Sequence, residues 1–286
     1  KRSDVGKVKV FYPYRYDGVF EEKWDIVIIE GWFLLIHDFI AMIRNHSSDT
    51  IILFFCLDPT FPGLQETAAY DVDGYLTNSI SVYDYLKNFA PTEFVRLAAD
   101  PEQMRPLGDE DTKSSFSSKV NNVVFVGAGG KMLEYKPELL ATVTTALPFG
   151  LKLYGMGWQE SESAELREAH GGVLPHKDIN RIYSSAKVVL AHTIESQRNE
   201  GMINNRVFEA MSCGSLVISD WFPAVEELTE GTVLLSNGTS DIKKHLQWAL
   251  TNPIEAETMG KRARDLILRK HTWSHRAVKI LSFADN

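Results

Sequence analysis

Two periods of apolar residues alternate along the chain. Residues 25–29 (D-I-V-I-I) and 50–57 (T-I-I-L-F-F-C-L) are near-continuous apolar runs, the pattern of strands buried on both faces of a parallel sheet. Residues 7–14 are rich in β-branched and aromatic side chains and predict an opening strand, while 33–44 carry apolar residues at helical spacing. A shorter strand is expected at 74–78, a helix at 79–87 and a further strand at 92–97, before the A-A-D-P turn at 98–101. Strand alternating with helix predicts a parallel α/β sheet.

From 101 the pattern breaks into a polar stretch punctuated by Pro, Gly and Ser that runs to 121. It reads as a linker, most narrowly 106–121, dividing a domain at 1–105 from one at 122–271. The rhythm then restarts with a strand at 123–126, a helix at 137–146, a strand at 151–154, a helix at 178–186 and a strand at 188–191. A short helix at 204–211 feeds a strand at 216–219, and helices at 241–251 and 255–270 precede a terminal segment, 272–286, expected to pack back on the first domain. The expected architecture is α/β, with two doubly wound parallel-sheet domains facing a cleft.

Composition narrows the function. The 286 residues are 44% hydrophobic and 24% charged, with a net charge of −8, as in ordinary globular proteins. No dense Lys/Arg face appears, which argues against a nucleic-acid partner. No apolar run reaches the roughly 18 residues of a membrane span, and the start lacks the order of a signal peptide, so a cytoplasmic protein is expected. Cys56 and Cys213 sit in apolar contexts and read as buried, reduced thiols. The chain begins with Lys1 rather than Met, as a processed chain or a piece of a longer polypeptide would.

Open α/β sheets bind ligands at the carboxyl ends of their strands. In the second domain those ends are G-A-G-G-K at 127–131, Gly155 to Trp158, His192 with Thr193, and Asn204 to Arg206. The glycine stretch lets backbone N–H groups approach a diphosphate from Gly127, with Lys131 adding a charge, or else is a plain tight turn; it fits neither the dinucleotide fingerprint nor a P-loop, because Met132 stands where the third glycine belongs. Glu209 is a lone acid among Phe208, Ala210 and Met211. Such a carboxylate is costly unless paired and offers two oxygens to the vicinal hydroxyls of a ribose. Arg206, three residues earlier on the same helical face, either pairs with Glu209 or caps a phosphate. Asn204 and Asn205 suit the start of that helix, where free N–H groups attract anions.

Together these segments resemble a known family. L-F-F-C-L-D-P at 53–59, V-R-L-A-A-D-P at 95–101, V-F-V-G at 124–127, L-Y-G-M-G-W at 153–158, Y-S-S-A-K-V-V-L at 183–190, R-V-F-E-A-M-S-C-G at 206–214 and H-T-W-S-H-R at 271–276 occur in the order seen in GT-B glycosyltransferases. The chain is similar to their CgeB-like (spore coat/spore maturation) branch. The resemblance implies two Rossmann-like domains, the first reduced or truncated, and sugar transfer from a nucleotide-diphosphate donor, by default a UDP-sugar, to a glycan or other hydroxyl acceptor. By position it implies that Glu209 binds the ribose, that Asn204, Asn205 and Arg206 face the diphosphate, and that Tyr154, Gly155, Leu174 and His176 flank the base; Thr193 joins the donor candidates from its place at a strand end. The chain departs from the E-x7-E pattern of many such enzymes: position 201 is glycine, and the nearest upstream acid, Glu200, is nine positions from Glu209.

Helix N-termini, Arg206 and Lys131 can stabilise a leaving diphosphate without a metal or other cofactor. An inverting reaction also needs a base near the acceptor, and Glu30 and Asp58, both following apolar strands of the first domain, are the candidates. D-V-D at 71–73 has the form of a metal-holding D-x-D but falls in a turn of the first domain, so no metal site is expected. A sugar-nucleotide epimerase or hydrolase, or a non-catalytic sugar-nucleotide binder, would use the same donor elements.

Overall fold

The computed structural model describes residues 6–11, 17–31, 35–57, 63–107, 119–129 and 136–286. They form two compact units, Lys1–Arg96 with Ser274–Asn286, and Leu97–Trp273.

In the first unit, strands β1 (Ile26–Glu30), β2 (Ile51–Cys56), β3 (Gly74–Thr77) and β4 (Thr92–Phe94) alternate with helices α1 (Ile36–His46), α2 (Leu64–Thr67) and α3 (Ile80–Leu86). All neighbours pair in parallel, in the order β1-β2-β3-β4. That order has no reversal, so right-handed crossovers place successive helices on one face. Ile52, Phe54 and Cys56 face that side with Ile36, Ile40, Val82 and Leu86. Leu53, Phe55 and Leu76 point the other way, where Ile280 and Phe283 of the terminal helix Trp273–Ala284 cover them. The alternation of β2 across both cores explains why its sequence is apolar throughout.

Residues 7–11 form no strand. The Lys7 and Lys9 ammonium groups pair with Glu22 and lie over the Trp24 ring, at 5.9 and 5.7 Å from its centroid. Of the two D-x-D acids, Asp73 is tied to the sheet. Asp73 Oδ2 accepts from the Ile52 N–H at 2.7 Å and lies 3.0 Å from Arg44 Nη2, and Arg44 also donates to the Asp71 carbonyl.

The second unit contains β5 (Asn121–Val126), α4 (Pro137–Ala146), β6 (Leu151–Tyr154), α5 (Ala164–Ala169), α6 (His176–Ser184), β7 (Ala186–Ala191), α7 (Glu195–Asn199), α8 (Asn205–Ser212), β8 (Leu216–Asp220), α9 (Pro223–Thr229), β9 (Leu234–Ser236), α10 (Thr239–Thr251) and α11 (Pro253–Lys270); the terminal helix is α12. Its parallel sheet has the order β6-β5-β7-β8-β9. The chain leaves β5 in one direction for β6 and returns on the other side for β7, which makes β5 and β7 the switch point. Leu139, Val143, Leu246 and Ala249 of α4 and α10 pack on one face. Ile182, Val207, Phe208, Met211, Leu266 and Ile267 of α6, α8 and α11 pack on the other, so this sheet is doubly wound. The stretch 97–107 runs along α6 and α8: the Arg105 N–H donates to Asn180 Oδ1, and Ser212 Oγ donates to the Met104 carbonyl. Within the second unit an isolated parallel bridge joins Ala99 and Thr272.

Both cysteines are buried thiols outside any disulfide; burial pushes the Cys213 thiol up to about 12. Among the described residues no helix is long and apolar enough to cross a membrane, and no cluster of His, Cys, Asp or Glu has the makings of a metal site.

Candidate functional site

The ladder between β5 and β7 ends at Val124 and Val189, whereas β5 stays paired with β6 as far as Val126 and Tyr154. Past Val124 the ends of β5 and β7 therefore separate. Arg206, in the first turn of α8, bridges the gap: its Nε donates to the Val126 carbonyl at 2.5 Å and its Nη1 to the His192 carbonyl at 3.1 Å. The guanidinium lies over the Phe125 ring, 4.7 Å from its centroid. A Cβ on Gly127 would come within 2.8 Å of Arg206 Nη2 and 2.9 Å of that ring, so only glycine lets the strand end beside the cation. Gly155, with φ +128°, lies so close to Gly127 that a side chain there would meet the Gly127 carbonyl. The Gly127 N–H donates to the Tyr154 carbonyl at 2.8 Å, and the Gly155 N–H to the Gly172 carbonyl at 3.0 Å.

Besides Arg206, three neighbours grip the end of β7. Asp220, the last residue of β8, accepts from the Thr193 N–H at 2.7 Å, and its Oδ2 is 2.9 Å from His192 Nδ1, close but out of line for a hydrogen bond. Asn204 precedes α8 without capping it; its Nδ2 turns back to the His192 carbonyl at 3.1 Å and to Thr193 Oγ1 at 2.6 Å. Arg198 Nη1 donates to the Thr193 carbonyl at 2.6 Å. With Asn204 turned away, the first-turn N–H groups of α8, a helix start with partial positive charge, take no side-chain cap.

Glu209 sits one turn further along α8, its side chain 13% exposed. Its Oε1 is 3.3 Å from Nε2 of His176, the first residue of α6. Arg206 and Glu209 thus have separate partners: Arg206 bonds to strand-end carbonyls, a third role beside the pair with Glu209 and the phosphate cap that the sequence suggests. Glu209, His176 and the exposed Asn205 line a cavity of about 190 Å³ with Asp100, Gln103 and Trp273. Asp100 accepts from Gln103 Nε2 at 2.6 Å. A larger, shallower groove of about 480 Å³ lies at Glu230 and the outer side of α11, and shares none of the strand ends. The crevice, not that groove, follows from the topology.

The remaining candidates divide. Tyr154 and Leu174 are half-buried and pack on the α6–α8 core. Glu30 ends β1 of the first unit and is exposed. Asp58 and Lys131 lie outside the described residues. Of the further residues here, His192 was already placed at a strand end by the sequence, whereas Asp220, Arg198 and Glu138 were not among the predicted site residues; of these only Asp220, which follows a buried apolar run, carries a signal that sequence reading can find.

A parallel sheet whose switch point is flanked by arginines and helix starts is the geometry with which α/β proteins hold phosphorylated ligands. Residues 136–282 match the family described as glycosyl transferase-like, and the chain belongs to that family. Solved structures with the same two-sheet GT-B fold include three examples. Sucrose-phosphate synthase from Thermosynechococcus elongatus is 17% identical, with a TM-score of 0.63 over 94% of this chain and 75% of its own. Anabaena Alr3699/HepE in complex with UDP and glucose is 12% identical, with a TM-score of 0.64 over 94% and 79%. The UDP-forming α,α-trehalose-phosphate synthase from Burkholderia xenovorans is 10% identical, with a TM-score of 0.57 over 92% and 74%. At these identities the likeness shows the fold. No curated protein matches the chain.

Proposed function

We propose that this glycosyltransferase, of the CgeB-like branch and acting in the cytoplasm, moves a sugar from a UDP-sugar to a hydroxyl of a glycan or other acceptor. The observation that carries the reading is Glu209, held by His176 over a cavity at the start of α6 and α8, one turn beyond the arginine that bridges the switch point. A ribose diol matches the two carboxylate oxygens of Glu209. In this reading the diphosphate lies toward the α8 start, taking Asn205 and Arg206 backbone N–H groups and Arg206 Nη2, with Lys131 as a further cation. The base lies among Tyr154, Gly155, Leu174 and His176. Gly127 serves by close approach, and Thr193 and Asn204 by holding the strand end. The leaving charge then falls on an arginine and a helix start, so transfer proceeds without a metal. Solved structures of the same fold contain UDP with glucose, which supports uracil as the base.

On the acceptor side, Glu30 or Asp58 is the base that takes the hydroxyl proton. The test incubates the protein with UDP-, GDP- and dTDP-sugars, with and without candidate acceptors, and follows nucleotide release. Acceptor-dependent release of UDP is expected, and Glu30→Gln or Asp58→Asn is expected to abolish it while leaving donor affinity intact. Acceptor-independent turnover would instead mark an epimerase or hydrolase, and binding without release a non-catalytic protein.

A further inference from the structure

We propose that Arg198 is a ligand of the donor's diphosphate and that Glu138 is the anion it exchanges for that diphosphate; the proposal rests on the donor reading above. The short helix α7 folds Arg198 back to the end of β7, where Nη1 donates to the Thr193 carbonyl at 2.6 Å. Its Nη2 donates to Glu138 Oε2 at 2.8 Å. Glu138 lies in the first turn of α4, the helix that follows β5, while α7 and α8 follow β7. The ion pair therefore joins the two sides of the switch point, across the place where a phosphorylated ligand enters such a sheet.

The two members of the pair are not equivalent. The Arg198 side chain is 17% exposed and fixed by the Thr193 carbonyl, whereas that of Glu138 is 54% exposed. The carboxylate is the partner that can leave at low cost, since an ion pair with one exposed member contributes little. A guanidinium accepts a phosphate in the same forked geometry as a carboxylate, and a diphosphate brings more charge. Arg198's other acidic neighbour, Asp220 Oδ2, is 3.9 Å away and already accepts from the Thr193 N–H. Arg206 has two of its nitrogens committed to strand-end carbonyls, which leaves Arg198 as the cation at this crevice whose only carboxylate within 3 Å, among the described residues, is exposed.

Calorimetry tests this with whichever of UDP, GDP and dTDP the wild type binds best, and the matching nucleoside monophosphate as control. Arg198→Ala is expected to weaken the diphosphate by about tenfold or more and the monophosphate far less, since the lost bonds go to a charged terminal phosphate. Glu138→Gln is expected to tighten the diphosphate by about threefold while slightly lowering the melting temperature, because it removes both a competing anion and a favourable charge at a helix start. A merely structural pair would lower both together. Equal losses for diphosphate and monophosphate, or an unchanged diphosphate affinity in Arg198→Ala, overturn the proposal. If Arg198→Ala does not fold, Glu138→Gln decides alone: no gain in affinity overturns it. A wild type that binds none of the three diphosphates sinks the donor reading and this proposal with it.

Discussion

Lys119 carries its ammonium into the second unit, where it donates to the Ala186 carbonyl at 2.8 Å and to Ser215 Oγ at 3.1 Å, and burial lowers its pKa from 10.5 to about 8. Below pH 8 both folded and unfolded chains hold the proton, and folding bears the full cost of burying the charge. Between 8 and 10.5 the unfolded chain binds more protons, so stability rises with pH. Buried Cys213, raised to about 12, offsets that gain once unfolded thiols ionise near pH 9, and buried Tyr75, also raised to about 12, reverses the trend once unfolded tyrosines ionise above about pH 10. Denaturant titrations at pH 7, 8 and 9 are expected to show the wild type gaining stability with pH and Lys119→Met losing that gain. The variant should be more stable at pH 7 by about 2 kcal/mol, less than the full transfer between the two pKa values because two hydrogen bonds go with the charge. At this scale Glu209 stands out in the sequence as the one acid of a mostly apolar helix, which calls for a partner, and the structure sets His176 3.3 Å from it. Arg198 and Glu138 are not legible. They are 60 residues apart, and only the order β6-β5-β7 brings α4 and α7 to one crevice.

Among elements, the central strands of both sheets fall where the apolar runs predict, because burial on two faces leaves no polar positions to confuse the period. Helices α5, α7 and α9 have five to seven residues, too few turns for a helical period to stand out. The 7–14 stretch reads as a strand through its β-branched residues, but 7–11 are held by lysine contacts to Glu22 and Trp24 instead of a ladder. The crossovers of the first sheet cover only one of its faces, and the terminal helix α12 covers the other with Ile280 and Phe283. Ile280→Ala is therefore expected to destabilise the chain by about 2 to 5 kcal/mol, the scale for removing buried methyl groups from a core. Urea unfolding followed by circular dichroism measures it, and a loss within the noise would mean that α12 is dispensable to the sheet.

For the molecule as a whole, the family match over 136–282 reaches from α4 through α12 and so covers most of the second unit together with the helix that returns to the first. Among the described residues the reversal of strand order that makes a switch point lies in the sheet of the second unit, which is the physical reason the donor is proposed to bind there. The net charge of −8 means that the local cations at the switch point act against an overall repulsive field for a diphosphate, so donor affinity depends on a few named groups. Calorimetric titration of UDP into the wild type and Glu209→Ala addresses that dependence most directly. The wild type is expected to bind UDP, and the variant to bind it more weakly by about 1 to 3 kcal/mol as hydrogen bonds to a charged group are lost; equal affinity for the two proteins, or no binding by the wild type, would refute the donor assignment.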